Sequence, residues 1–360
     1  MFKLFGFLSK NHFLGIDFGT SAIKVVELSY RDQHIFLENY GWLDTGFNLI
    51  ADKTEQNFRA SYEQRIKAYF QELVTRMQLK STSANVAIPG YNGMITSIEL
   101  PEMEQNDLEQ AIQFEAHKHI PTSLDDISLR WDIVAKTGEG EGKNKRLQIM
   151  LVAAAKREVE KYEKLVREVG LEVSAIELET FSLVRALVGD DPNAFLIVDI
   201  GARATNLILV ENGIIRVNRN VDSGGYDVTS TVSDSMNISR TRAEILKKEK
   251  DDLLNGREMS LVIPSLDLVS NEAMRMINSY REKKPDLRLE SVILSGGSAK
   301  LKGIDQYFSK TIGVRAVVGN PWRRVYVDPA LEPVVREKLG TSFSVALGLA
   351  LMGADSFRRS

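Results

Sequence analysis

An aspartate, a turn of small residues and a lysine occur together early in the chain, in the stretch FLGIDFGTSAIKVVEL at residues 13–28. Asp17 ends an apolar strand, residues 19–21 form the turn, and Lys24 lies at the start of a second strand. Backbone N–H groups in such a turn suit phosphate oxygens, and a carboxylate suits the water shell of Mg²⁺. The stretch therefore predicts a phosphate-binding turn, although Lys24 could equally be an ordinary charge at a strand edge.

The same pattern recurs 182 positions later, in FLIVDIGARATN at residues 195–206. Asp199 and Gly201 then correspond to Asp17 and Gly19. The recurrence predicts an internal duplication that places two aspartates across a cleft from each other. The alternative is a pair of unrelated β-hairpins.

A third turn follows an apolar strand in SVILSGGSAK at residues 291–300. Gly296 and Gly297 occupy the turn, and an amphipathic helix comes after it. Paired glycines allow a flat base or a phosphate to approach the backbone closely. Alone, this pattern is only weakly specific, so its weight comes from its place after the two aspartate turns.

Composition limits the classes of function. The chain has 360 residues, which predicts two or more domains, and its net charge of −3 gives no basic field for nucleic acid. It has no cysteine, which excludes disulfides and thiolate metal sites and fits the cytoplasm. The apolar run FSVALGLALM at 343–352 is about half the length that a membrane span needs, so no transmembrane helix is expected.

The apolar periodicity divides the chain into two α/β halves with an insertion in the first. Strands are expected at 13–17, 23–28, 34–40 and 84–88, with a helix near 55–79. The insertion has strand, helix, strand, strand content, and its helix at 104–119 stops before Pro121. The predicted segments are 1–88, the insertion 89–177, a return to the first half at 178–193, and then 194–240, 241–290 and 291–360.

The three turns, in this order, resemble the phosphate-1, phosphate-2 and adenosine motifs of the superfamily of actin, DnaK chaperones and sugar kinases. Within it, ELPEMEQNDLEQAIQFEAHKHIP, GGYDVTSTVSDSMNISRTRAEILKKEK and GNPW are similar to segments of the PilM family of type IV pilus assembly, and less closely to the FtsA family. The resemblance implies an α/β, actin-like (ribonuclease H-like) two-lobed ATP-binding fold with an inserted subdomain called 1C.

The resemblance also implies ATP and Mg²⁺ as cofactors and assigns roles by position. Asp17 and Asp199 would hold Mg²⁺ through water, and Glu179 would loosely match a glutamate that positions water. Glu244 and Lys247, three apart on one helical face, would contact ribose and base, or would simply lie on a solvated face. The other implied nucleotide-binding residues are Gly19, Thr20, Ser21, Lys24, Gly201, Gly224, Gly225, Gly296, Gly297 and Ser298.

The implied function is a cytoplasmic scaffold of the pilus assembly complex that binds the cytoplasmic N-terminal peptide of PilN between subdomains 1A and 1C. Other inner-membrane pilus assembly proteins would be further partners, and the membrane would be reached only through partners. A sugar-type kinase and a filament-forming actin homologue are the alternatives. Because DIGARAT at 199–205 lacks a run of glycines, ATP turnover is expected to be slow at most, and Arg203 either intrudes on the turn or pairs with a phosphate.

Overall fold

The computed structural model describes residues 11–45, 56–120, 123–137, 145–248, 252–254 and 260–359. Its strands are β1 (His12–Phe18), β2 (Ala22–Arg31), β3 (His34–Asp44), β4 (Ser83–Ile88), β5 (Gly93–Pro101), β6 (Ile127–Thr137), β7 (Arg146–Ala155), β8 (Glu172–Leu178), β9 (Ala194–Ile200), β10 (Thr205–Glu211), β11 (Ile214–Val221), β12 (Leu289–Ser295) and β13 (Ala316–Val318). Its α-helices are α1 (Gln56–Met77), α2 (Gln105–His119), α3 (Lys156–Glu168), α4 (Glu179–Leu187), α5 (Gly225–Met236), α6 (Arg240–Lys248), α7 (Pro264–Lys283), α8 (Ile304–Ile312), the short α9 (Glu332–Val334) and α10 (Ser344–Arg359).

Two five-stranded sheets form the centres of two lobes, and they share one topology. The first has the order β3-β2-β1-β4-β8 and the second the order β11-β10-β9-β12-β13. In the first sheet, β1 runs antiparallel to β2 and parallel to β4. In the second sheet, β9 runs antiparallel to β10 and parallel to β12. Because β9 begins 182 residues after β1, the predicted duplication is confirmed at the level of strand order and register.

The apolar runs form these strands because both faces of the sheets are covered. Every residue of β9 and β10 is buried, a pattern typical of strands packed on two sides. The same holds for most of β1 and β2. The strands predicted at 13–17, 23–28, 34–40 and 84–88 and the helix near 55–79 are all present.

The insertion forms a separate three-stranded antiparallel sheet with the order β5-β7-β6. Helix α2 packs on it through Leu108, Ile112 and Ala116, which are the apolar positions of the predicted helix. Within the predicted segment 89–177, however, β8 pairs with β4 of the first sheet, and α3 packs on the first core. The three-stranded unit, which we call the insert, therefore spans Gly93–Ala155.

Helix α10 lies in the core of the first lobe, against β1 and α4. A Cβ at Gly15 would lie 2.0 Å from the carbonyl oxygen of Ala346, and Asn85 donates to the carbonyl of Leu349 over 3.0 Å. The segment Glu332–Arg358 is long and apolar enough to span a bilayer, but 67% of the 18-residue apolar stretch within it is buried in the protein. That burial is typical of a core helix, so the segment is weak evidence for a membrane span.

Candidate functional site

A cleft of about 450 Å³ lies between the two lobes, where the carboxyl ends of β1, β9 and β12 meet. The predicted residues that line it are Asp17, Gly19, Thr20, Ser21, Lys24, Glu179, Asp199, Gly201, Gly225, Glu244, Lys247, Gly296, Gly297 and Ser298. Gly224 lies just behind this surface, and a Cβ there would be 2.8 Å from the carbonyl oxygens of Gly201 and Ala202. The structure thus brings together at one cleft residues that are up to 281 positions apart in the chain.

Each of the three turns has one glycine at which a side chain does not fit. A Cβ at Gly19 would lie 2.9 Å from the carbonyl oxygen of Ala22, and one at Gly201 would lie 2.9 Å from that of Ala204. Gly296 has a φ of +85°, and its Cβ would lie 2.3 Å from the carbonyl oxygen of Ile200. The turns are therefore tight, and their backbones face the cleft without covering side chains, as a phosphate cradle requires.

Asp17, Glu179 and Asp199 are among the carboxyl groups that line the cleft. Lys24 contacts Asp17 at 3.4 Å, in the strand register that pairs the two residues. Burial raises the pKa of Asp199 to about 6, against the opposing effects of Ser295 and Lys24. Burial also raises the pKa of Glu179 to about 8, helped by the charges of Asp199 and Asp17. Such a cluster of buried acids lacks positive charge, which a bound cation would supply.

The acids suit a hydrated cation rather than direct ligation. Among the described residues, no three His, Asp or Glu side chains converge closely enough to hold a metal ion directly. Mg²⁺ commonly keeps several of its waters and contacts proteins through one or two carboxylates. Asp17 and Asp199 therefore fit the predicted role of holding Mg²⁺ through water, together with phosphates in the cleft.

Glu244 and Lys247 form a partly buried pair in the lining of the cleft. Their side chains are 2.7 Å apart on α6, and the Lys247 ammonium also donates to the carbonyl of Gly225 over 3.0 Å. Glu244 accepts from the hydroxyl of Thr229 over 2.6 Å. Burial acts to raise the pKa of Glu244, but the nearby Lys247 outweighs it and lowers that pKa. The pair joins α6 to the glycine turn before α5, so it is more than a solvated helix face.

The cleft also contains residues that the sequence patterns did not single out. Lys300 follows the third glycine turn, and burial together with Lys24 and Lys248 lowers its pKa to about 8. Its position after Gly-Gly-Ser could have signalled a phosphate contact. Tyr91 and Asn206 carried no such signal, because each depends on contacts between distant parts of the chain.

Arg203 belongs to the second phosphate turn, and its side chain contacts Tyr91 and Asp222. Its guanidinium is 5.1 Å from the centre of the Tyr91 ring and 3.5 Å from the carboxylate of Asp222. The side chain is 53% exposed. Burial raises the pKa of the Tyr91 hydroxyl, and Thr20 in the first phosphate turn acts in the opposite direction. Arg203 thus faces the cleft with only weak, partly exposed partners among the described contacts.

The sequence is similar to those of two families of known proteins. A family model described as type IV pilus assembly protein PilM matches residues 15–354. The cell division protein FtsA of Enterococcus hirae is 21% identical over 365 residues, covering 90% of this chain and 81% of its own, and FtsA of Pseudomonas aeruginosa is 23% identical over 291 residues, covering 72% and 68%.

Solved structures identify the fold. The structure of a PilM-PilN type IV pilus biogenesis complex superimposes with a TM-score of 0.78 at 25% identity, over 95% of this chain and 98% of the other. A MamK double helical filament gives a TM-score of 0.54 at 11% identity, over 95% and 98%. The predicted actin-like fold is therefore confirmed.

Proposed function

Because the chain belongs to the family of type IV pilus assembly protein PilM, we propose that it is a Mg·ATP-binding cytoplasmic scaffold of the inner-membrane pilus assembly complex. One observation carries the nucleotide part of this proposal: the duplicated Asp17 and Asp199 turns face a single cleft between the lobes. ATP serves there as a structural ligand or a switch, and hydrolysis is slow. The protein reaches the membrane through its partners.

The nucleotide roles follow from the chemistry of each part of the cleft. The first turn and Lys24 contact the β and γ phosphates, because backbone N–H groups and an ammonium offset their negative charge. Asp17 and Asp199 accept hydrogen bonds from the waters of Mg²⁺. Glu244 and Lys247 contact the ribose and base, while Gly297 and Ser298 lie against the adenosine. Bound Mg²⁺ supplies the positive charge that the three buried acids lack.

Calorimetry with ATP and MgCl₂ tests this site. Asp17→Ala and Asp199→Ala are each expected to weaken binding by about 1.4 kcal/mol or more, which is a tenfold change in Kd. Asp190→Ala is the matched control, because Asp190 is exposed and precedes the amino end of β9, whereas Asp199 lies near the carboxyl end. A wild-type protein that binds no ATP overturns the proposal, and unchanged binding by both aspartate variants moves the site elsewhere.

The rate of ADP release distinguishes the proposed scaffold from a kinase, because only a kinase should release ADP faster when a phosphate acceptor is supplied. Arg203 stands where strongly hydrolytic relatives are expected to carry further glycines, so we expect slow release. Supplying sugars and other hydroxyl compounds is expected to leave that rate unchanged. A saturable increase with one compound would favour a kinase, because an acceptor that completes the site lowers the barrier to transfer.

We propose that the cytoplasmic N-terminal peptide of a PilN-type partner binds where the insert meets the first lobe. A concavity of about 690 Å³ lies there, lined by α2, the start of β6 and Lys156 at the first turn of α3. Leu129 supplies apolar surface and Arg130, His117 and Asp125 supply polar groups. An extended peptide gains main-chain hydrogen bonds and side-chain pockets in such a groove. The PilM-PilN complex among the solved relatives supports this choice of partner.

A charge reversal tests the groove in the full-length chain. Lys156→Glu is expected to weaken binding of a synthetic PilN N-terminal peptide from the same organism by about tenfold, because an acidic side chain replaces a basic one beside Arg130 in the lining of the concavity. Lys164→Glu is the control, since Lys164 is exposed on the same helix two turns further on, outside the concavity. Equal affinity of the two variants would show that the peptide binds another face.

A further inference from the structure

Tyr91 lies at the entrance to the insert and belongs to the lining of the cleft at the same time. It sits in the short turn Gly90–Asn92, directly before β5. Its ring is among the cleft walls, and 39% of the residue remains exposed. A side chain at this position therefore has neighbours both in the phosphate turns and in the strand that begins the insert.

The turn that carries Tyr91 is held from both lobes. The Gly90 N–H donates to the Glu179 carboxylate over 2.8 Å, and the Asn220 amide donates to the Gly90 carbonyl over 3.0 Å. A Cβ at Gly90 would lie 2.8 Å from the Asn220 Oδ1 atom. Because Glu179 belongs to the first lobe and Asn220 to the second, the turn has direct contacts with both sides of the cleft.

Residues of both phosphate turns lie near the Tyr91 side chain. Thr20 of the first turn acts to lower the pKa of its hydroxyl, against the larger effect of burial, and Arg203 of the second lies 5.1 Å from the centre of its ring. The second partner of Arg203, Asp222, is 82% exposed. A cation–π contact and an exposed ion pair are both weak, whereas a guanidinium and a phosphate form a strong, bidentate pair. A phosphate within reach therefore outcompetes the present partners of Arg203.

From these contacts we propose that Arg203 is a specificity-determining residue that distinguishes ATP from ADP, and that Tyr91 is the positioning residue through which this choice reaches the insert. With ATP bound, Arg203 leaves the Tyr91 ring for the terminal phosphate, and the turn before β5 changes its contacts. With ADP bound, Arg203 stays on Tyr91. The inference rests on the proposed nucleotide site and adds a route from it to the proposed peptide groove.

The coupling has a reciprocal consequence. If ATP changes the contacts of the insert, a ligand that binds the insert must change the affinity for ATP by the same factor. A peptide held by the insert is therefore expected to alter ATP affinity while leaving ADP affinity unchanged. Arg203 and Tyr91 are both necessary for that difference.

The test combines calorimetry with hydrogen exchange on the full chain. Arg203→Gln is expected to weaken binding of a non-hydrolysable ATP analogue about tenfold relative to ADP, and Arg203→Lys to restore part of the loss. Tyr91→Leu removes the ring that competes with the phosphate for Arg203, so it is expected to raise rather than lower the affinity for the analogue. In wild type, the analogue but not ADP is expected to change backbone exchange across Gly93–Pro101, and both Arg203→Gln and Tyr91→Leu are expected to abolish that change.

The outcomes separate this inference from the proposed function. A wild-type protein that binds neither nucleotide overturns the nucleotide site and the inference with it. Nucleotide binding in which Arg203→Gln loses ATP analogue and ADP equally overturns the inference alone. So does an exchange response of the insert that persists in Tyr91→Leu. Neither side chain belongs to a hydrophobic core, so each ligand-free variant is expected to melt like wild type. That measurement is the check that the variants are folded.

Discussion

Lys300 makes ligand affinity depend on pH near neutrality. Burial, with Lys24 and Lys248 nearby, lowers its pKa to about 8, so most of the side chain is charged at pH 7 and little at pH 9. A phosphate ligand favours the charged form, so binding above pH 8 requires uptake of a proton. We expect ATP affinity to fall between pH 7 and 9 by up to about tenfold per unit above that pKa. Calorimetry across this range measures it, and Lys300→Met is expected to flatten the dependence.

Glu179 destabilises the ligand-free protein at neutral pH. Its folded-state pKa of about 8 lies above the ordinary value of 4.5, so its contribution to stability is present below pH 4.5 and is lost as the pH rises to 8. Glu179→Gln keeps an acceptor for the Gly90 N–H and removes the charge. We expect it to raise the unfolding free energy at pH 8 by on the order of 2 kcal/mol.

Denaturant unfolding at pH 5 and pH 8 measures this effect. The difference in unfolding free energy between wild type and Glu179→Gln should be larger at pH 8. At that pH the wild-type carboxyl either carries a charge in the folded protein or binds a proton that the unfolded chain would release. An equal or opposite difference at the two pH values would show that Glu179 is not a neutral buried acid in the ligand-free protein. Glu163→Gln is a control on the partly exposed face of α3.

At the scale of elements, the two adjacent glycines of the third turn are expected to have different roles, Gly296 in stability and Gly297 in nucleotide binding. Gly296→Ala places a Cβ 2.3 Å from a backbone oxygen at a φ of +85°, whereas a Cβ at Gly297 meets nothing closer than the Ser342 hydroxyl at 4.0 Å. We expect Gly296→Ala to destabilise the fold by about 2 kcal/mol or more. Gly297→Ala is expected to melt like wild type and to bind ATP more weakly, because its methyl group faces the cleft.

Thermal melting and calorimetry on the two variants check this pair. Each variant is the control for the other, since both add one methyl group to the same turn. Wild-type affinity in a folded Gly297→Ala protein would show that the adenosine does not lie against this turn. Wild-type stability of Gly296→Ala would show that the turn relaxes around the added atom.

The elements differ in how well their sequence predicts them. Strands β1 and β9 are predicted because an apolar run ends at an aspartate and a glycine, and local pattern alone determines such a strand. Strand β8 reads as part of the insertion, but it pairs with β4 across the whole insert, and no local pattern encodes a partner about 90 residues away. Tyr91 is not predicted for the same reason, because its neighbours belong to two turns that are distant in the sequence.

At the scale of the whole molecule, the duplicated turns predict the cleft well, while its walls depend on packing. The 182-residue recurrence places the two aspartates correctly because both lobes have the same strand order. Helix α10 completes the first lobe by packing its apolar residues against β1 and α4, in a region whose sequence reads only as an apolar run. Close backbone approach at Gly15 and Gly348, which a Cβ would block, allows that packing.

The insert joins the first lobe through two chain segments that lie side by side. Its ends are adjacent, because Gly93 pairs with Ala154 in the antiparallel register of β5 and β7. One face of its sheet forms a core with α2, and the other face packs Ile95, Met150 and Val152 against the cores of the lobes. A short glycine-serine linker in place of residues 94–153 is therefore long enough to close the chain.

We expect this deletion variant to bind Mg·ATP with an affinity within about threefold of wild type and to lose binding of the PilN N-terminal peptide. The nucleotide contacts come from turns outside the insert, whereas the proposed peptide groove needs α2 and β6. Calorimetry with both ligands, after a cooperative melt has shown that the lobes remain folded, gives the result. Peptide affinity equal to that of the full chain would place the peptide on another face. Loss of ATP binding in a folded variant would show that the insert contributes to the nucleotide site itself.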